Sequence, residues 1–359
     1  MCTMSLYTTT LLLLNPDPYI SINRLYRRVI QEALHVTLPT GYLDIFFVRP
    51  PTRFRETHYV VAQLYMIAAE LKEFEHREDI NVRVLLEGVG GFSIADARNR
   101  SWEVVAVARG DTKLLPIFIA EQHSSWFSPA LQIIILPMVG SIEAPSSLSS
   151  VTGDDNGDNY AQEEAPDLGV AGLVVDSTDE EDGDVEDEGE EGQYPVVALG
   201  GTFDHLHDGH KILLTMAGFL ARESLIIGVT GEALLQNKKY KEYLEPLTQR
   251  CAAVLDFLAY IYPTLHATTH EINDVYGQSV TIEAIDALVI SGETRQGAKM
   301  VNDERRRRGF HALKIWEIDV VNGDANNQWA GKLSSTDLRK REFEKDEVAK
   351  SQGTQQKLE

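Results

Sequence analysis

Short apolar runs alternate with helix-like segments along the first 140 residues of the chain. Runs of this length, rich in Leu, Val and Ile, are typical of buried strands. They lie at Leu11–Leu14, Leu43–Val48, Val82–Leu86, Val104–Val107, Ile117–Ala120 and Ile133–Leu136. Between them, Ile22–Leu34 and Tyr59–Phe74 place apolar residues at helical spacing. The pattern predicts a small α/β domain over residues 1–140, in which we find no catalytic signature.

The alternation resumes more regularly near residue 193. Strands are predicted at Val196–Leu199, Leu225–Val229, Ala287–Ser291 and Leu313–Ile318, and helices at Lys211–Ala221, Leu247–Tyr262 and Gln296–Arg308. Strands that alternate with helices favour a parallel sheet with right-handed crossovers, which binds ligands at the carboxyl ends of its strands. We therefore expect an α/β protein whose second domain, residues 193–345, is a Rossmann-like parallel-sheet domain.

An acidic segment separates the two domains. Residues 151–192 contain 17 Asp and Glu and no Lys or Arg. Such a run buries too little apolar surface to offset its chain entropy. We predict a disordered linker over 141–192 and a disordered tail over 346–359. We also predict that a fragment spanning 193–359 keeps the activity of the second domain.

Charge and cysteine content exclude several classes of protein. The formal net charge of −22 is concentrated in the acidic linker, and no broad basic face is visible, so a nucleic-acid partner is disfavoured. Two cysteines allow neither a disulfide framework nor a cysteine metal site. The apolar run Leu11–Leu14 is too short for a signal peptide or a membrane span. We expect no membrane association and a cytoplasmic location, with the nucleus as the alternative.

The most informative string lies where the first strand of the second domain runs into a helix. It reads Gly-Gly-Thr-Phe-Asp-His-Leu-His-Asp-Gly-His over Gly200–His210. Glycines after a strand let the backbone approach a ligand, and a helix N-terminus favours an anionic phosphate. There the imidazoles of His207 and His210 could stabilise charge that develops on a phosphate under attack. We predict a phosphate-handling site at this turn.

Two further blocks contain residue types that bind phosphate. Lys332–Arg339 reads Lys-Leu-Ser-Ser-Thr-x-x-Arg, which puts hydroxyls at a helix start and a cation one turn later, and this suits the β- and γ-phosphates of ATP. Lys238, Lys239 and Lys241 precede a predicted helix that contains Arg250. A lysine there could bridge two phosphates that otherwise repel each other. The spacing leaves open which of the three does so.

These segments resemble the nucleotidyltransferase superfamily with a His-x-Gly-His turn, which is related in fold to class I aminoacyl-tRNA synthetases. Within it, the first turn, the Leu-Leu-x-x-Lys block at Leu234–Lys238 and the segment Val289–Thr294 are similar to the eukaryotic-type phosphopantetheine adenylyltransferases. The likeness spans about Val196 to Arg341. The chain departs from it at Gly297-Ala298, where the family usually shows two glycines.

The resemblance implies a role for each matched position. His210, His207 and Lys238 would be catalytic, with His210 stabilising the transition state. The acceptor phosphate would be bound by Thr202, Lys238 and Arg250. ATP would be bound by Gly200, Gly201, Phe203, His207, His210, Arg295, Arg305, Ser334, Ser335 and Thr336. No protein metal site is expected, because Mg²⁺ would arrive with ATP.

The implied reaction moves AMP from ATP to 4'-phosphopantetheine and yields dephospho-CoA and pyrophosphate, a late step of coenzyme A biosynthesis. The chain has no Gly-x-x-x-x-Gly-Lys-Ser/Thr string, so a fused dephospho-CoA kinase is not expected. The alternatives are a nicotinamide-mononucleotide adenylyltransferase, a cytidylyltransferase, and a non-catalytic scaffold of the same pathway. The first domain is the candidate for binding other enzymes of coenzyme A biosynthesis.

Overall fold

The computed structural model describes residues 5–15, 22–89, 102–114, 127–136, 193–318 and 335–355. The predicted strand Ile117–Ala120, the acidic segment and Ser334 lie outside these residues. No helix within the described ranges is both long and apolar enough to cross a membrane.

Strands and helices alternate through both halves of the chain. The first half contains β1 (Tyr7–Leu14), α1 (Ile22–Val36), β2 (Thr37–Phe47), α2 (Phe54–Phe74), β3 (Asn81–Leu86), β4 (Trp102–Ala108) and β5 (Phe127–Leu136). The second half contains β6 (Tyr194–Gly201), α3 (Asp208–Leu220), β7 (Ala221–Thr230), α4 (Leu247–Ile261), β8 (His266–Ile272), β9 (Ala287–Ser291), α5 (Arg295–Arg307), β10 (Lys314–Ile318) and α6 (Ser335–Gln355).

Each half forms a five-stranded parallel sheet, which confirms the predicted fold class. The strand order is β3-β2-β1-β4-β5 in the first sheet and β8-β7-β6-β9-β10 in the second. Counted from its own first strand, each sheet therefore has the same order. The first strand is central, and the order reverses beside it, so a crevice opens at the carboxyl ends of β6 and β9.

Burial explains why β1 and β6 are the central strands. Leu11–Leu14 in β1 and Val197–Leu199 in β6 are apolar at every position and almost fully buried. Continuous apolar runs of this kind belong to strands covered on both faces. The flanking strand β8 reads His-Ala-Thr-Thr-His-Glu-Ile and is only partly buried. It has no apolar run, and for that reason the sequence pattern did not predict it.

The two sheets belong to one compact unit. Helix α2 packs against α3, and the buried apolar side chains of both halves form one continuous core. Phe54 at the start of α2 lies against Trp316 of β10 and Phe219 of α3, with ring centroids 4.6 and 6.5 Å apart. A cut before residue 193 would expose this shared core to water.

The C-terminal helix also differs from the prediction. Helix α6 runs from Ser335 to Gln355, across most of the segment 346–359 that we predicted to be a disordered tail. Its middle is attached to the rest of the protein, because the hydroxyl of Tyr243 donates to Asp346 at 3.0 Å. The helix has charged residues on every side, so its sequence lacks the apolar stripe that identifies packed helices.

A close approach at Gly218 tests the packing of α3. A Cβ at this position would lie 2.1 and 2.3 Å from ring atoms of Tyr262, whose buried hydroxyl donates to the carbonyl of Thr215. We predict that Gly218→Ala lowers the free energy of unfolding by roughly 1–3 kcal/mol, because the ring must shift. Gly297→Ala is the matched control, since nothing lies within 4 Å of its Cβ. Urea unfolding that gave both variants wild-type midpoints would contradict this packing.

Candidate active site

A strained turn joins β6 to α3. Phe203 and His205 both have positive φ, +51° and +47°, which non-glycine residues rarely adopt. The surroundings hold them there. The ring of Phe203 is fully buried, and the amide of His205 donates to Glu245 at 2.7 Å. A Cβ at Gly201 would lie 3.0–3.4 Å from the Phe203 ring, so the glycine leaves room for that ring.

The two histidines of the signature lie together at the start of α3. His207 is the N-cap residue, and its ring stacks on that of His210 with centroids 3.8 Å apart. Burial lowers the pKa of His207 to about 4. Burial, with His207 as a neighbour, also holds the pKa of His210 well below its ordinary value. Both imidazoles are therefore neutral at pH 7. The Nδ1 atom of each is buried and has no hydrogen-bond partner in the described part of the chain.

Asp204 joins the first and last signature segments. Its carboxylate pairs with the guanidinium of Arg339 in α6, and both side chains are almost fully buried. Its other oxygen accepts from the amide of Glu245 at 2.9 Å. Its carbonyl accepts from the hydroxyl of Ser335 at 2.9 Å. The start of α6 is thus fixed against the β6–α3 turn.

A cavity of about 1190 Å³ opens in front of these segments. Nine of the residues predicted to bind substrate or ATP line it: Gly200, Gly201, Thr202, His207, His210, Lys238, Arg295, Ser335 and Thr336. The structure therefore brings together residues that are up to 136 positions apart in sequence. Ser334 lies outside the described residues.

The cavity separates the three candidate lysines. Lys238 is exposed and lines the cavity. Lys239 and Lys241 are not among its described lining residues, and the carbonyl of Lys239 accepts from Arg339 at 3.1 Å. Arg295, which also lines the cavity, makes a two-point ion pair with Glu317, with distances of 2.8 and 2.5 Å. Lys238 is therefore the better placed of the three to meet a phosphate.

Arg305 corrects one of our predictions. Its side chain is fully buried, and its five N–H groups donate to the carbonyls of Ser279, Ile282, Glu283, Ile285 and His311. No donor remains for a triphosphate. Arg305 is a structural clamp that ties α5 to the segment before β9, not a residue that binds ATP.

The side chains of Arg250 and Phe203 are fully buried. Arg250 is fully buried and donates to the carbonyls of Thr202, Thr230 and Glu245, so it joins the loops that follow β6 and β7. Phe203 packs its ring 5.3 Å from that of His210. Neither is among the described residues that line the cavity. We correct both assignments, because these side chains are fully buried and are not among the described residues that line the cavity.

Two residues from the first half, which no sequence motif indicated, line the same cavity. Tyr65 and Met66, both in α2, belong to its wall. They match no signature, and they are far from the second half in sequence. Only the packing of α2 on α3 brings them there.

The structural role of Arg305 can be tested by measuring the stability and the ATP affinity of a variant separately. Arg305→Lys keeps the charge but offers fewer donors, so buried carbonyls lose their partners. We expect the free energy of unfolding to fall by roughly 2–4 kcal/mol, while calorimetry of the folded variant gives wild-type affinity for ATP. Arg306→Lys is the control, since Arg306 is exposed and its side chain pairs with Asp303. Weakened ATP binding at unchanged stability would restore the original prediction.

The neutral histidine pair predicts a pH dependence of stability. The unfolded chain protonates its histidines near pH 6.5, whereas folded His207 does so near 4. The unfolded state therefore binds more protons in this window, so the free energy of unfolding should fall as the pH falls from 6.5 to 4. NMR of ¹³C-labelled histidine, assigned with His207→Asn, should give a midpoint near 4 for His207. A midpoint at or above 6 would contradict the burial of this pair.

Comparison with known proteins agrees with this geometry. A family model described as cytidylyltransferase-like matches residues 198–341. The phosphopantetheine adenylyltransferase of Saccharomyces cerevisiae is 43% identical over 148 residues, which are 41% of this chain and 48% of that protein. Those of Methanothermobacter thermautotrophicus and Pyrobaculum aerophilum are 38% and 35% identical, over 42% and 40% of this chain and 87% and 89% of theirs.

The chain spans about half the length of the yeast relatives it matches and most of the length of the two archaeal ones. The match to the family model begins at residue 198 and so covers the second sheet. It contains the β6–α3 turn with both histidines, as well as Lys238, Arg295 and the start of α6. The chain therefore belongs to the phosphopantetheine adenylyltransferase family of nucleotidyltransferases.

Proposed function

We propose that this protein transfers AMP from ATP to the phosphate of 4'-phosphopantetheine and releases pyrophosphate. The observation that carries the proposal is the meeting of two segments on one cavity. The neutral pair His207 and His210 lies at the N-terminus of α3, and Ser335 and Thr336, at the start of α6, line the same cavity. Family membership supports the choice of substrates.

The reaction is a displacement at phosphorus. A phosphate oxygen of phosphopantetheine attacks the α-phosphorus of ATP, the bond from that phosphorus to the β-bridging oxygen breaks, and pyrophosphate leaves with the electron pair. The attacking phosphate is ionised at neutral pH, so it needs no general base. Catalysis then depends on positioning and on stabilisation of charge in the transition state.

Each cavity residue has a task in this scheme. The amides at the start of α3 and the N–H groups of His207 and His210 donate to the α-phosphate oxygens. Lys238 lies between acceptor and α-phosphate and reduces their repulsion. Ser335 and Thr336 bind the leaving pyrophosphate. Because the imidazoles are neutral, they supply hydrogen bonds without adding charge that would hold the product.

Mg²⁺ enters as part of the substrate. The cavity wall carries the carboxylates of Asp274 and Glu317, and Glu317 already pairs with Arg295. Mg²⁺ commonly takes most of its ligands from substrate phosphates and water. We therefore expect the triphosphate, and not a protein cage, to hold the ion.

Several finer points belong to the same proposal. We expect the chain to catalyse the synthesis of dephospho-CoA but not its phosphorylation, because the sequence has no phosphate-binding kinase loop. We expect it to work in the cytoplasm. The first sheet remains the candidate for contact with other enzymes of coenzyme A biosynthesis.

Pyrophosphate release from Mg-ATP tests the proposed reaction. The acceptors compared are phosphopantetheine and nicotinamide mononucleotide, with CTP plus phosphocholine as a third arm. We expect pyrophosphate release when phosphopantetheine is the acceptor and none in the other two arms. His210→Ala should lower kcat by roughly 10²–10³-fold, the usual effect of losing one transition-state donor.

His266→Ala is the matched control, because His266 is exposed at the start of β8 and should leave kcat unchanged. Release with a different acceptor would keep the chemistry and overturn the substrate. No release from folded protein with any acceptor would favour the non-catalytic scaffold.

A further inference from the structure

The helix that carries the histidines is held by a residue from the first half of the chain. Lys72, in the last turn of α2, lies beside Asp208, the first residue of α3, with Nζ and Oδ2 3.4 Å apart. Asp208 stands directly after His207 in the sequence and two positions before His210. A side chain of helix α2, in the first half of the chain, thus reaches the turn where the phosphates are expected.

Lys211 completes a buried charge network around Asp208. Its ammonium lies 3.2 Å from the Asp208 carboxylate and also donates to Asn81 and to the carbonyl of Val82, both in β3. Lys72 donates in addition to the carbonyl of Ile80. The three charged side chains are at most 11% exposed. Asp208 and both cations therefore depend on the contact between the two halves.

The charge state of this network follows from its geometry. Burial opposes ionisation of Asp208, but the two lysines outweigh it and lower its pKa below the ordinary value. Burial lowers the pKa of Lys211, whereas the Asp208 carboxylate beside it favours its charged form. With both lysines protonated, two cations oppose one carboxylate in the first turn of α3. Positive charge there adds to the helix dipole and favours an anionic ligand in front.

A second contact fixes the same interface. Asp44 of β2 accepts hydrogen bonds from Tyr260 of α4 and from Trp102, and its carboxylate also pairs with Arg83 at 2.6 Å. The Arg83 guanidinium lies 3.6 Å from the centre of the Tyr260 ring. The two halves are thus joined by directional bonds as well as by apolar packing.

The packing of α2 beside α3 also shapes the cavity. Tyr65 and Met66 of α2 line the cavity together with His207 and His210 of α3. Tyr65 is immobilised, because it is fully buried and its hydroxyl accepts from the amide of Val84 at 3.2 Å. Helix α2 of the first half therefore supplies part of the cavity wall and also Lys72, which pairs with Asp208 beside the histidines.

We propose that the first half of the chain is a working part of the active site, in which Lys72 is a positioning residue that acts through Asp208 to fix the His207–His210 pair, and Tyr65 and Met66 close one wall. What the pair does rests on the proposed function, whereas its fixation by Lys72 does not. A small displacement of groups that stabilise a transition state lowers the rate strongly.

The test compares Lys72→Met with Lys72→Arg in the full-length protein. Lys72→Met removes the charge and keeps most of the volume. We expect kcat to fall roughly 10- to 100-fold, while KM for each substrate changes by less than about threefold, because the loss is in the transition state. Lys72→Arg should recover most of kcat. Lys113→Met is the matched control, since Lys113 is an exposed lysine of the first half.

Histidine NMR supplies a readout that does not require activity. The stacked rings of His207 and His210 shield each other, so their ¹³C-labelled resonances report the geometry of the turn. Both should shift in Lys72→Met, return towards wild type in Lys72→Arg and stay in place in Lys113→Met. If wild-type protein forms no dephospho-CoA, the proposed function fails, and these resonances alone decide the present proposal.

Folding must be separated from positioning. If Lys72→Met does not fold, Asp208→Asn takes its place, because it keeps the shape of the side chain and removes the charge that Lys72 binds. Folded Lys72→Met or Asp208→Asn protein with kcat within about twofold of wild type and with unmoved histidine resonances would overturn the proposal. A lower melting temperature without a change in kcat or in the histidine resonances would show that Lys72 only stabilises the fold.

Discussion

The site depends on keeping two imidazoles neutral next to two buried carboxylates. Asp204 and Asp208 flank His207 in sequence, and unopposed negative charge at either would raise its pKa. Each carboxylate is neutralised by a cation from a distant part of the chain. Arg339, 135 residues after Asp204, pairs with the first, and Lys72, 136 residues before Asp208, pairs with the second. The turn is therefore fixed by ion pairs to one residue far before it and one far after it in the sequence.

Because of this arrangement, the same ion pairs both hold the fold together and position the histidines. A buried carboxylate that loses its partner is costly, so the Asp204 and Asp208 pairs also hold α6 and the first sheet in place. The same pairs fix the backbone between Thr202 and His207, where Phe203 and His205 adopt left-handed conformations. Backbone strain of this kind persists only where the surroundings determine it from several sides.

The sequence predicted the local features well. The strand–turn–helix of Gly200–His210 is encoded by neighbouring residues, and nine of the predicted site residues line the cavity. Prediction from the sequence failed for residues whose role depends on contacts with distant parts of the chain. A buried arginine can bind a ligand or a set of carbonyls, and Arg305 binds carbonyls only because α5 packs beside the segment before β9. Lys72 had no local signal, since its partner lies in the other half.

The first sheet illustrates how one topology can serve two purposes. It has the strand order of the second sheet, yet it has no His-x-Gly-His string after its first strand, where the sequence reads Asn-Pro-Asp-Pro. Its helix α2 covers α3 and contributes to the cavity wall. The two sheets thus share one strand order, and only the second has the signature residues on which the proposed function rests.

Neutral imidazoles can in principle act as nucleophiles, so the central claim, a single displacement aided by positioned donors, needs a direct test. The measurement is the stereochemical course at the α-phosphorus, with one diastereomer of adenosine 5'-(α-thiotriphosphate) and phosphopantetheine as substrates. A single in-line displacement predicts inversion of configuration in the thio-substituted dephospho-CoA. Retention would indicate two displacements through an AMP-histidine intermediate, and it would contradict the account given for His207 and His210.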